Sequence, residues 1–204
     1  YVYSRIFDTN LTEIHYLPDN HKLDWIQLND FLDSKPSIFF LPNPNQPIED
    51  TLSVEQIEDL AKKTKLNDTL LVIDEAYYYF GADTTLQLTD QYKNLVVMRT
   101  FSKGFGVPSI RLGYMVSNEV NIEFFAKTRF AHETSALSAT VAEYLLDHFE
   151  IIEEYNKKVI IARDEIKIRL REYDIPCYGE TGNYLLIDLI LLRHLLPHTE
   201  HPPE

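Results

Sequence analysis

Four short apolar runs, at 38–41, 70–73, 95–98 and 112–116, constrain this chain more than any other feature. They alternate with helical patterns, which predicts α/β layering around a largely parallel sheet. The first three runs pass straight into polar residues. In an open α/β sheet the carboxyl ends of parallel strands share one edge, and ligands bind there. The residues that carry chemistry are therefore sought just after each run.

After the third run comes Thr100-Phe-Ser-Lys-Gly-Phe-Gly106, followed by Ile110-Arg-Leu-Gly-Tyr114. Thr100, Ser102 and Arg111 offer two hydroxyls and a guanidinium, a donor set suited to phosphate. Between the hydroxyls and the arginine stands Lys103, whose amine, once shielded from water, loses its proton and attacks a carbonyl. Together these groups suit an aldehyde that carries a phosphate. Singly, a Ser-Lys pair in a loop and a nearby arginine read as solvated surface.

The second run, Leu70-Leu-Val-Ile, ends in Asp74-Glu-Ala-Tyr-Tyr-Tyr79. Asp74 at a strand end shares an edge with the end of the 95–98 strand and is placed to reach the same pocket as Lys103, where an acid keeps a ring nitrogen protonated. The alternative is that Asp74 caps the segment that follows. Tyr77, Tyr78 and Tyr79 read equally as amphipathic packing residues at a wet edge. The first run enters Pro42-Asn-Pro-Asn-Gln-Pro47, a rigid turn that leaves amide side chains pointing outward.

In this order the three segments resemble the fold-type I pyridoxal-phosphate aminotransferases, and within them the histidinol-phosphate aminotransferase branch. Asp74-Glu-Ala-Tyr77 is similar to that family's Asp-x-Ala-Tyr segment, Thr100 to Gly106 to its Schiff-base segment, and Ile110 to Tyr114 to its phosphate-arginine segment. The likeness runs along most of the chain. Tyr3 to Leu28 is similar to the family's aromatic, alternating stretch, and Gly179 to Ile187 to the strand that opens its small domain. It implies a three-layer α/β/α large domain with a mainly parallel sheet, plus the start of a small α+β domain.

The resemblance implies that Lys103 forms the Schiff base with pyridoxal 5'-phosphate and that Asp74 pairs with the pyridinium nitrogen. It further implies that Tyr77 bonds the ring's phenolic oxygen, while Arg111, Thr100 and Ser102 hold the phosphate. The amide turn departs from the pattern: where the family shows Pro-Asn-Asn-Pro-Thr-Gly, this chain has Pro44-Asn45-Gln46-Pro47-Ile48-Glu49. Gln46 stands in the place of the ring-contacting asparagine, with Asn45 as second choice. The expected reaction moves an amino group between an amino acid or amine phosphate and a 2-oxo acid, with small molecules as partners. Alternatives on the same scaffold are a decarboxylase and a non-catalytic cofactor-binding regulatory domain. The family builds its site at a subunit interface, which implies a homodimer.

The expected division is a cofactor-binding large domain over 1–150, lacking an N-terminal part with a phosphate-binding small-residue loop. A linking helix and an incomplete small domain then occupy 151–204, and the family's carboxylate-binding arginine is not legible. Helical periodicity is clear from Thr51 to Lys65, and from Ser135 to Arg171 as one long helix or two. A net charge of −13 with no basic stripe argues against nucleic acid. With one cysteine, Cys177, an internal disulfide is excluded, and no secretory leader is legible, so a reducing cytoplasm is expected. No apolar run reaches membrane-spanning length. His194, His198 and His201 invite a metal hypothesis, but no Cys or fixed acid pattern accompanies them and prolines interrupt the tail. His132 and His148 read as helix surface or hydrogen-bonded partners.

Overall fold

A computed structural model describes residues 2–129 and 134–187. The four apolar runs become β1 (Ile38–Pro42), β2 (Leu70–Asp74), β3 (Leu95–Thr100) and β4 (Gly113–Val116), side by side in that order. β1, β2 and β3 are parallel. β4 runs antiparallel to β3, with Thr100 opposite Gly113, so the sheet is mixed but mainly parallel. The reversal follows from the segment between them, which closes on itself through Phe101 N–H to Leu112 O at 3.1 Å. A parallel return would need a crossover over the sheet face.

Helices α1 (Val2–Ile6), α2 (Trp25–Asp33) and α3 (Val54–Leu66) precede β2. Asp24 caps α2 by accepting from the N–H groups of Ile26 and Gln27, both at 3.0 Å. Ser53 and Gln56 form a reciprocal capping box on α3, which is why that helix begins after the expected Thr51. Apolar stripes of α2 and α3, Leu28, Leu32, Ile57, Leu60 and Ala61, pack on Phe39, Leu41, Leu71, Ile73 and Leu95. Each fully buried leucine or isoleucine there contributes about 1.5–3 kcal/mol.

After β4 come α4 (Glu119–Ala126), α5 (Ala136–Asp147) and α6 (Phe149–Glu172). The periodic stretch from 135 to 171 is thus two helices, broken at His148, whose φ of −119° and ψ of 49° lie outside helical space. A second apolar cluster, Phe101, Phe105, Ala142 and Ile152, ties the segment after β3 to α5 and α6. The hairpin β5 (Cys177–Tyr178) and β6 (Leu186–Ile187) follows, so the segment expected as one strand from Gly179 is mostly turn. Among the described residues no helix is long and apolar enough to cross a membrane. His132, His194, His198 and His201 lie outside the described residues.

Candidate active site

Parallel register sets Pro42 level with Asp74, and Asp74 level with Met98. Asn43 N–H donates to Asp74 O at 2.9 Å and Glu75 N–H to Met98 O at 2.8 Å, so the pairing continues past the strand ends. The amide turn, the acid and the lysine segment therefore leave the sheet from one edge.

Lys103 sits on a compact turn. Thr100 Oγ1 accepts from Ser102 N–H at 3.0 Å, and Gly106 N–H donates back to Lys103 O at 2.9 Å. Two glycines make the turn possible. Gly106 has a φ of 70°, and a Cβ on Gly104 would stand 2.6 Å from Tyr79 Cβ. The Lys103 ammonium lies 5.1 Å from the centre of the Tyr77 ring. Among the described residues it has no hydrogen-bond or ion-pair partner.

Tyr77 is 7% exposed, and its hydroxyl donates to Gln46 Oε1. Asn45 is used differently: its Nδ2 donates to Ile48 O at 2.7 Å, and its carbonyl accepts from the Tyr184 hydroxyl. Of the two amides, Gln46 is the one that faces Tyr77. Asp74 Oδ1 accepts from Ala76 N–H at 3.0 Å, so one oxygen does cap the following turn. Burial pushes the Asp74 carboxyl above the usual carboxylate range, opposed only by that bond. Partly desolvated and without a cation, it is an acid waiting for a positive partner.

Arg111 makes a local contact of its own. Its backbone is left-handed, at φ 52°, and Nη1 donates to Pro108 O at 3.1 Å on an exposed side chain. It makes no hydrogen bond to Thr100 or Ser102, whose geometry closes instead through Thr100 Oγ1 to Leu112 O at 3.4 Å.

Three contributors escaped the sequence reading. Arg99 Nε and Nη2 reach Glu75 Oε2 at 3.0 and 2.8 Å, and the guanidinium lies 4.1 Å from the Tyr78 ring centre. Its only local signal is Glu75, the acid directly after Asp74. Tyr184 meets Tyr77 edge to face with ring centres 5.1 Å apart. Arg163 on α6 donates from Nη1 to Phe80 O and Gly182 O, each at 3.0 Å. No spacing rule announces either contact.

Residues 2–193 match the model of the family "Aminotransferase class I and II", and this chain belongs to that family. Within it, the chain is 33% identical over 150 residues to the histidinol-phosphate aminotransferase of Thermotoga neapolitana, covering 74% of this chain and 44% of that protein. It therefore spans less than half the length of that relative. Among solved structures it is similar to a putative histidinol-phosphate aminotransferase from Erwinia carotovora atroseptica, at 25% identity and TM-score 0.80, covering 93% of this chain and 56% of that one. The histidinol-phosphate aminotransferase of Sinorhizobium meliloti, solved with pyridoxal 5'-phosphate, shares the fold at 23% identity and TM-score 0.78, over 88% of this chain and 49% of that one.

Proposed function

We propose that this chain carries the cofactor-binding core of a pyridoxal-phosphate-dependent aminotransferase. It acts between an amino acid, or an amine phosphate like histidinol phosphate, and a 2-oxo acid. The observation that carries this reading is the Lys103 ammonium, 5.1 Å from the centre of the Tyr77 ring and without a hydrogen-bond or ion-pair partner among the described residues, on the segment that leaves the same sheet edge as Asp74. A lysine held near a strand edge without a carboxylate partner is disposed for covalent chemistry rather than for an ion pair.

The donor set fits the cofactor. Asp74 would hold the ring nitrogen, supplying the cation that its buried carboxyl lacks, and Tyr77 with Gln46 would hold the phenolic oxygen. Thr100, Ser102 and Arg111 would hold the phosphate, with Asn45 shaping the turn. When bound, pyridoxal phosphate supplies an aldehyde carbon for imine exchange and a ring that withdraws electrons. Lys103 Nζ is the amine that would link to that carbon and, when displaced by the substrate amine, would take the substrate Cα proton as general base. Asp74 would keep the proton on the ring nitrogen, a benefit that falls mainly on the transition state. The Tyr77 ring covers one side of the amine, its centre 5.1 Å from Nζ.

The reading divides the chain into a large-domain part, 1–150, and a linking helix with part of a small domain, 151–204. A homodimer accords with large apolar side chains left exposed on α4 and α5, such as Phe124 and Leu137. A reducing compartment such as the cytoplasm accords with the single free cysteine, Cys177.

The test is addition of pyridoxal 5'-phosphate, a visible absorption spectrum, borohydride reduction and peptide mapping. The expected result is a reduced adduct on Lys103. An adduct confined to other lysines would overturn the assignment.

A further inference from the structure

One carboxylate fastens the loop Glu180–Tyr184 to the amide turn. Glu49 Oε1 accepts from Glu180 N–H at 2.9 Å, from Thr181 N–H at 2.7 Å and from the Thr181 hydroxyl at 2.7 Å. Thr51 Oγ1 adds a bond to Thr181 Oγ1 at 2.8 Å. From the opposite side Arg163, 8% exposed, grips Gly182 O at 3.0 Å. The loop so held carries Tyr184, whose hydroxyl donates to Asn45 O and whose ring lies against Tyr77. Burial first, then the charges of Glu49, Tyr77 and Tyr16, pushes the Tyr184 hydroxyl well above its ordinary range, so it stays a donor.

The two Glu49 oxygens are used unequally. Oε1 has three strong donors, whereas Oε2 is buried with no partner among the described residues. With the loop in place one oxygen is satisfied and the other is held out of water, so the hydrogen bonds that latch the loop are set against a desolvation cost. Glu49 also marks a difference from the family pattern, which ends Pro-Thr-Gly where this chain has Pro47-Ile48-Glu49. A glycine there has no carboxylate to offer the loop.

We propose that Glu49 is a positioning residue: by holding Glu180–Tyr184 closed it presses Tyr184 on Tyr77 and Asn45, and so sets the Tyr77 hydroxyl and the Asn45–Gln46 amides. It rests on the assignment of those groups to the ring of pyridoxal phosphate.

Two variants of the full chain test this, Glu49→Ala and the milder Thr181→Val, which removes one donor and serves if the first fails to fold. Without cofactor, Glu49→Ala should speed amide exchange at Glu180 and Thr181 about tenfold or more while β2 amides keep their protection. Unchanged exchange at those amides overturns the latch. With pyridoxal phosphate added, Glu49→Ala should weaken its affinity about tenfold and shift its visible band, and Thr181→Val should fall between it and the wild type. Loosened amides with unaltered affinity and band would overturn positioning while leaving the cofactor site standing. Failure of the wild type itself to give a visible band would instead remove the cofactor assignment, and the positioning role with it.

Discussion

Arg99 Nη2 stands 2.8 Å from Glu75 Oε2, with the two side chains 9% and 1% exposed. Thr85 N–H at 2.6 Å and the hydroxyls of Thr84 and Thr85, each at 2.9 Å, donate to the same carboxylate, so its desolvation is offset by a full shell. The pair joins β3 to the turn that presents Tyr77. Glu75→Ala strands a guanidinium out of water and is expected to reduce stability by about 3–5 kcal/mol. Replacing both residues with leucine should recover much of that loss, because no charge is then buried alone. Denaturant unfolding of both single variants and the double variant reads the difference; a double loss equal to the sum of the single losses would show that the pair is not coupled.

Asp74 gives a prediction with opposite signs in two assays. Its folded carboxyl titrates above the unfolded one because burial disfavours the charge, so the wild type loses stability as pH rises through the folded value. Asp74→Asn, which does not titrate, should therefore make the cofactor-free protein more stable at pH 7, with the gain disappearing below the usual carboxylate range. In the loaded enzyme the same change should slow proton abstraction on the order of 10²–10³-fold. Unfolding midpoints across pH and single-turnover rates check the two arms; an unchanged rate would refute the pyridinium role.

Lys103→Ala should leave stability within about 0.5 kcal/mol of the wild type, because among the described residues the ammonium has no ion pair to lose. Borohydride should then fix no cofactor at this site. A persistent adduct at wild-type yield would take the lysine out of its role.

Gly104→Ala tests the turn that aims the lysine. Its Cβ would meet Tyr79 Cβ at 2.6 Å, and Tyr79 is wedged among Phe105, Tyr78 and Phe149. The turn must shift or the tyrosine must leave, with a loss of about 1–3 kcal/mol in the unfolding midpoint and weaker pyridoxal phosphate binding. Wild-type values of both would show that the close approach is not required.

The strands, the existence of helix α3 and the alignment of three polar segments along one sheet edge were legible in the amino-acid order. Each depends on neighbours within a few residues: apolar runs such as Leu70–Ile73, acids early and lysines late in the helix, and polar residues just after each run; the Ser53 and Gln56 capping box that moved the helix start was not read there. That the Tyr77 hydroxyl meets Gln46 rather than Asn45 is decided only in space, across 31 residues of chain. The direction of β4 depended on how Phe101–Leu112 folds back, and the break at His148 on a backbone angle that helical periodicity does not report. Arg111, read with Thr100 and Ser102 as a phosphate cradle, also donates to Pro108 O at 3.1 Å, a contact that residue type alone does not report.

The amino-acid order by itself determined the α/β class and the edge on which chemistry would gather, because periodicity and turn chemistry are local properties of the backbone, while the resemblance of its motifs pointed to the family. Only the tertiary structure decided that Glu49 holds Thr181, that Tyr184 covers Tyr77 and that Arg163 joins Phe80 to Gly182. Most of those contacts join residues widely separated along the chain. They exist once packing has met the entropy of bringing such segments together, and nothing in local sequence records which segments will meet.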